Sequence, residues 1–240
     1  MTPPASEPKK VAIITGASRG IGAGLVEAYR RAGYAVVGTS RSITSSDEPD
    51  FITVQGDITQ VETAQRVVDE TIGRFGRIDS LINNAGLFIS KPFDEYTAAD
   101  FAAVTAVNLA GFFHITQRAV RTMLIQGNGH IVNISSSLVD HANSQGVAAL
   151  TVLTKGGLAA VTRSLAIEYA SRGIRVNAVS LGVIKTPMYG PESYEGVAAL
   201  HPIGRVGEIS DVVDGILYLE RAPFVTGEIL HIDGGMAAGQ

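Results

Sequence analysis

The sequence predicts an α/β protein built on one doubly wound parallel sheet flanked by helices. Three observations carry that expectation: short apolar, β-branched runs recur along the chain, helical periodicity separates each from the next, and glycines stand at the junctions. Seven strand runs can be counted, with no repeat of solenoid period and no second set of elements. Of 240 residues, 45% are hydrophobic and 27 are glycine, enough for a sizeable core and many tight turns.

The first run, Val11 to Ile14, is apolar at every position, as a strand covered on both faces must be. It leads into Gly16, Gly20 and Gly22, where the backbone must bend, approach a ligand closely and let the next helix pack. That helix spans about Ile21 to Arg31 and is ended by Gly33. Its free N–H groups and positive dipole end make the turn a cradle for dinucleotide phosphates, with a ligand-free glycine turn as the competing reading. The second strand, Ala35 to Thr39, leads to the position that sorts dinucleotides. An acid there binds the ribose hydroxyl of NAD, whereas arginine suits the 2′-phosphate of NADP. Ser40 and Arg41 occupy it, and Arg19 in the turn offers a second cation, so NADP(H) is expected ahead of NAD(H).

Phe51 to Gln55 reads as the third strand, closing on Gly56, Asp57 and Ile58. Val61, Ala64, Val67, Val68 and Ile72 then recur at helical spacing, punctuated by Gly73 and Gly76. The fourth strand, Ser80 to Asn83, runs into Asn83-Asn84-Ala85-Gly86, whose amides can bond neighbouring strands beside a cofactor, although the tetrapeptide alone reads as a turn. Thr97 to Gln126 is long and mostly helical, with Asn108 in its middle, where an asparagine reads as a surface residue. His130 to Ile134 is the fifth strand, closing with Ser135, Ser136 and Ser137. After Asp140 and His141, a helix from about Ala148 to Ala170 carries Lys155, and Arg175 to Ser180 is the sixth strand. Residues 182–207 are rich in Gly, Pro and Tyr with little periodicity, and read as a substrate lid. Ile209 to Leu219 is a last helix and Glu228 to Ile232 a last strand, before Asp233-Gly234-Gly235.

Residues 1–9 read as a flexible, proline-rich lead-in and 10–240 as the domain; the lead-in lacks the apolar centre of a signal peptide. No run of roughly 18 apolar residues suggests a membrane partner. Basic residues number 19 against 23 acidic ones and are dispersed, so nucleic acid is not an expected partner. The chain has no cysteine, which removes disulfides, thiolate metal sites and a cysteine nucleophile and suits a cytoplasmic location. The five histidines show no metal-ligand spacing, and no G-x-S-x-G elbow is present, so neither a metal site nor a hydrolytic triad is expected.

Taken together, TGASRGIG at Thr15 to Gly22, Asp57-Ile58, NNAG at Asn83 to Gly86, Asn108, IVNISS at Ile131 to Ser136, Lys155, RVNAVSLG at Arg175 to Gly182, Thr186, Thr226-Gly227 and Asp233-Gly234-Gly235 resemble the short-chain dehydrogenase/reductase family, from about Lys10 to Met236. The resemblance implies a single Rossmann domain with strand order 3-2-1-4-5-6-7. Gly16, Ser18, Arg19, Gly20 and Ile21 would hold the pyrophosphate and adenosine phosphate. Asp57 and Ile58 would border the adenine, Asn84, Ala85 and Gly86 the adenosine ribose side, and Ile184 and Thr186 the nicotinamide carboxamide. Ser136 would bond the substrate oxygen, Asn108 would hold a relay water, and Lys155 would bind the nicotinamide ribose. The implied reaction is hydride transfer between NADP(H) and a small carbonyl or alcohol. The implied assembly is a homo-oligomer, a dimer or tetramer, through the helices around Asn108 and Lys155 and the last strand.

The chain departs from the family at one catalytic position. Thr151 stands four residues before Lys155, where the family has its proton-donating tyrosine, and no tyrosine lies between Tyr96 and Tyr169 to repair the alignment. An aliphatic hydroxyl is about as weak an acid as water and gives up its proton poorly at neutral pH. Ser136 also lies 15 residues before Thr151, a slightly longer loop than the family's usual one, and Leu181 replaces a proline before Gly182. Two readings follow: an oxidoreductase whose proton comes from elsewhere, with Tyr189, Tyr194, His201 or His141 as sources, or a silenced NADP(H)-binding protein acting by association. Pro187, Met188, Tyr189, Tyr194 and Leu200 give the lid an apolar wall without an arginine clamp for a carboxylate.

Overall fold

The computed structural model describes residues 8–46, 48–142, 147–187 and 193–239. Seven strands form one parallel sheet: β1 (Val11–Thr15), β2 (Ala35–Ser40), β3 (Phe51–Gln55), β4 (Ser80–Asn83), β5 (Gly129–Ser136), β6 (Ile174–Leu181) and β7 (Ile229–Ile232). Their order is β3-β2-β1-β4-β5-β6-β7, the doubly wound arrangement the sequence predicts. The order reverses between β1 and β4, where connections leave in opposite directions and open a crevice at the strands' carboxyl ends.

Strand periodicity distributes the core between two layers. Ala12 and Ile14 face α1 (Gly20–Arg31) and α7 (Ile209–Arg221), packing with Leu25, Tyr29, Val212 and Ile216. Val11 and Ile13 join the opposite cluster with α2 (Val61–Phe75), α4 (Phe112–Gln126) and α5 (Ala149–Tyr169), through Val67, Ile115, Met123 and Ala166. Gly76 ends α2 at φ 73°, donating to the Ile72 carbonyl. Gly73, expected to share that punctuation, lies inside the last turn of α2, exposed and with open space around it, and does not end the run.

The stretch predicted as one helix is continuous but not uniform. Thr97 caps α3 (Ala98–Thr105) in a reciprocal box with Asp100, after which Ala106–Gly111 forms a widened, π-type turn leading into α4. By length and composition alone Ala98–Gln126 could cross a membrane, with mean hydropathy 1.4 over its most apolar window. In the fold it lies over the sheet, one side packed in the core beside α2. Between β6 and α7 the chain forms a bridge pairing Ile184 with Gly207 and the short helix α6 (Ser193–Ala198); Met188 and Tyr189 lie outside the described residues.

The end of the sheet away from the crevice is closed by a buried polar cluster. Glu220, on α7, accepts from Tyr29 at 2.9 Å, Tyr34 at 3.1 Å, Ser80 at 2.8 Å and His130 Nδ1 at 2.9 Å. Asn177 Nδ2 donates to His130 Nε2 at 3.1 Å, so a neutral imidazole protonated on Nδ1 satisfies both contacts. Burial holds His130 below its ordinary pKa against the pull of Glu220. Burial pushes the Glu220 carboxyl up, but the hydrogen bonds from His130, Ser80 and Tyr29 outweigh it and hold the group at about 2.

Candidate active site

The crevice begins at the glycine turn. Gly16 and Gly20 adopt φ of 67° and 56°, a region that favours glycine, and a Cβ on Gly22 would stand 2.1 Å from the Gly16 carbonyl oxygen. The turn is stitched to β4: Thr15 Oγ1 accepts from the Asn84 and Ala85 N–H groups at 3.0 Å each, and Asn84 Nδ2 donates to the Thr15 carbonyl at 2.9 Å. Asn83 and Asn133 extend the stitching to β5 through a 2.9 Å amide contact. Thr15 was not a sequence candidate, because its role depends on a partner 69 residues away.

The N-terminus of α1 is built for an anion. Arg19 at the cap position makes no side-chain cap, the first turn carries no acid, and Arg19, Gly20, Ile21 and Gly22 line the crevice. Arg19 and Ser18 are exposed, and neither Arg19 nor Arg41 donates from its guanidinium to another of the described residues. Ser40 and Arg41 stand at the end of β2, where Gln55 Nε2 holds the Arg41 carbonyl at 2.9 Å. Asp57 Oδ1 accepts from the Thr59 N–H at 3.0 Å, fixing the turn after β3, and Ile58 lies against Gly111 in the widened turn. Ser40, Arg41, Asp57 and Ile58 flank the crevice without lining it.

The crevice, glycine turn included, encloses about 420 Å³. Asn84, Gly86, Ser136, Thr151, Lys155, Ile184 and Thr186 line it, so the structure brings most of the predicted set together. Apolar walls come from Leu87, Phe88, Leu138, Val197, Leu200 and Met236. Ser136 stands at the end of β5 and its Oγ accepts from Leu138 N–H at 3.4 Å, leaving the hydroxyl proton directed elsewhere. Thr151 is 2% exposed, with its Oγ1 at 3.4 Å from both the N and O of Ile89.

Lys155 lies one turn after Thr151 and is 8% exposed. Its Nζ donates to the Ile134 carbonyl at 2.6 Å, and burial lowers its pKa from the ordinary 10.5 to about 8. A Cβ on Gly86 would approach Nζ to 3.2 Å, so that glycine keeps the space beside the amine open. Asn108, read from the sequence as a surface residue, is 1% exposed and lies within the widened turn. Its amide accepts from Leu87 N–H at 2.8 Å and donates to the Leu87 carbonyl and Thr154 Oγ1, both at 3.0 Å.

Two proposed proton sources are committed to the lid. Tyr194 OH donates to the Thr186 carbonyl at 2.7 Å and accepts from its N–H at 3.1 Å. His201, buried, donates from Nδ1 to the Val197 carbonyl and accepts at Nε2 from Val183 N–H. His141 is not among the residues lining the crevice, and Tyr189 lies outside the described residues. The clamp of Tyr194 on Thr186 escaped sequence reasoning, which treated the lid tyrosines as interchangeable.

The residues present fit a dinucleotide: an uncapped helix start, a glycine turn that side chains would fill, and a buried amine with donors to spare. Comparison with known proteins agrees. The family profile described as enoyl-(acyl carrier protein) reductase matches residues 16–237. The 3-oxoacyl-[acyl-carrier-protein] reductase FabG of Escherichia coli is 32% identical over 238 residues, covering 95% of this chain and 97% of that protein. The chain belongs to the short-chain dehydrogenase/reductase family. The solved structure of ElxO with NADP bound superposes with a TM-score of 0.89 at 32% identity, covering 96% of this chain and all (100%) of that one. A 3-ketoacyl-(acyl-carrier-protein) reductase from Brucella melitensis, complexed with NADH, gives 0.88 at 26% identity over 95% of this chain and 98% of that one. NADP and NADH are thus each found bound in a solved structural neighbour.

Proposed function

We propose that this chain is an NADP(H)-dependent oxidoreductase that interconverts a small, uncharged carbonyl compound and its alcohol through an altered proton relay. One observation carries the reading: one crevice joins the uncapped start of α1 to the buried Lys155, which makes one hydrogen bond among the described residues, and to the Ser136 hydroxyl. When bound, the reduced dinucleotide supplies the hydride. Gly16, Ser18, Gly20 and Ile21 hold its pyrophosphate, while Arg19, Ser40 and Arg41 take the 2′-phosphate. Asp57 and Ile58 border the adenine, Asn84, Ala85 and Gly86 the adenosine ribose, and Ile184 and Thr186 the carboxamide. Lys155 holds the second ribose, Ser136 donates to the substrate oxygen, and Asn108 positions Leu87 and Thr154 beside it.

The lining supports the substrate class. Leu87, Phe88, Leu138, Val197, Leu200 and Met236 offer apolar surface, and among the described lining residues Arg19, which takes the phosphate, is the one arginine, so no guanidinium remains to clamp a substrate carboxylate. Residues 182–207 act as the lid, with Tyr194 fixing Thr186. Exposed Leu109, Phe113 and Leu153 on the outer helices support a homo-oligomer, dimer or tetramer. A cytoplasmic location accompanies the reading, as the cysteine-free composition suits. Fluorescence titration with NADPH and NADH tests the cofactor assignment: NADPH is expected to bind more tightly, and absence of binding, or equal affinity for NADH, overturns it.

A further inference from the structure

We propose that the Lys155 ammonium is itself the acid that protonates the substrate oxygen, filling the place left by the family's tyrosine. This deepens the oxidoreductase reading and rests on it. The argument begins with what the crevice contains. Among the described residues lining it, Arg19 and Lys155 alone carry an ionisable proton; the others are glycine, serine, threonine, asparagine, proline or apolar. A guanidinium does not give up its proton in proteins, which leaves Lys155. Thr151 cannot substitute, its hydroxyl being too weak an acid, and Tyr194 and His201 are spent on the lid backbone.

Geometry supplies the second strand of the argument. An ammonium has three donors, and among the described residues Lys155 uses one, toward Ile134. The remaining donors belong to a group that is 92% buried, counting from its 8% exposure, and that faces a crevice kept open by Gly86. Ile134 is two residues before Ser136 on β5, and Lys155 and Ser136 both line the crevice, so the anchored amine and the Ser136 hydroxyl open onto the same space. Burial without a carboxylate partner brings the amine to about 8, where it exchanges protons readily near neutral pH, as a general acid requires.

The step balances. Hydride adds to the carbonyl carbon, the reduced dinucleotide being its source, and the C=O π pair moves onto oxygen. An O–H bond forms there as one N–H bond of Lys155 breaks. Alcohol, oxidised dinucleotide and neutral amine result, and the amine recovers its proton from solvent. In reverse, the neutral amine takes the alcohol proton.

The test pairs a titration with kinetics. In protein carrying 13C-labelled lysine, with Lys155→Met used for assignment, the Lys155 signal is expected to titrate near pH 8. A midpoint in the ordinary lysine range of about 10.4 overturns the proposal. Stopped-flow oxidation of bound NADPH by cyclohexanone and other small uncharged ketones is expected to slow as pH rises through that midpoint, while alcohol oxidation accelerates. Lys155→Arg keeps the cation and is expected to bind NADPH within a few-fold, yet to lose about 100-fold or more in turnover. Because the chain has no cysteine, Lys155→Cys alkylated with 2-bromoethylamine installs a less basic amine uniquely, and the kinetic midpoint is expected to move to lower pH with it. Turnover that is flat across this range, survives Lys155→Arg, or loses its pH dependence in Tyr189→Phe overturns the assignment to Lys155 alone. NADPH that binds but is oxidised by none of the ketones overturns the oxidoreductase reading and this proposal with it.

Discussion

Replacing Lys155 by methionine is expected to stabilise the ligand-free protein while weakening its hold on NADPH. Among the described residues the buried native amine makes one hydrogen bond, and a pKa lowered by burial from 10.5 to about 8 corresponds to a loss of about 3 kcal/mol for the charged form at neutral pH. Methionine fills a similar volume without a charge, but leaves the Ile134 carbonyl without its 2.6 Å donor, a loss of about 1–3 kcal/mol. A net gain of about 1 kcal/mol at pH 7 follows. The sign with pH is fixed: the folded pKa lies below the unfolded one, so the native protein carries the full penalty below pH 8 and sheds it as pH rises toward 10.5. The variant's advantage must therefore shrink between pH 8 and 10.5. Urea denaturation of both proteins at pH 7 and pH 10, at equal concentration, reads the difference directly. A variant less stable at pH 7, or an advantage that grows with pH, would refute the reasoning.

The remaining predictions concern the turn, the phosphate site and the far end of the sheet. Gly22→Ala forces a Cβ to within 2.1 Å of a backbone oxygen and is expected to cost about 3 kcal/mol or more, read as a lowered urea midpoint together with lost NADPH binding. Arg41→Ala is expected to weaken NADPH about tenfold while leaving NADH affinity unchanged by fluorescence titration. Glu220→Gln leaves Tyr29, Tyr34, Ser80 and His130 facing a neutral amide, and is expected to destabilise by about 3 kcal/mol in urea. Because the Glu220 carboxyl sits below its ordinary 4.5, at about 2, its contribution is present above pH 4.5 and lost as pH falls toward 2. The native protein's acid unfolding should flatten accordingly in the variant.

Much of the fold was legible because strand and helix periods are local. The runs Phe51 to Gln55 and Ser80 to Asn83 coincide with β3 and β4. The glycine turn was legible too, since positive φ and close approach leave few other residues possible. What sequence reasoning missed depends on wider partnerships. Asn108 is buried within a widened turn, a distortion that composition does not signal. Glu220 reads as an ordinary acid at the end of an amphipathic helix, yet it collects donors from α1, β4 and β5 and from Tyr34. His201 and Tyr194 looked like candidate acids because they are aromatic and titratable, whereas the lid backbone already occupies both. Thr151 was legible as a departure, but the burial of its neighbour Lys155, which gives the departure chemical meaning, was not.

The central claim is that this crevice transfers hydride without the family's tyrosine. Single-turnover oxidation of bound NADPH, followed by absorbance at saturating small uncharged ketone, tests it most directly. The account predicts a first-order loss of NADPH in the unmodified protein, faster at pH 7 than at pH 9. NADPH that stays bound and reduced until Thr151→Tyr is introduced would contradict it.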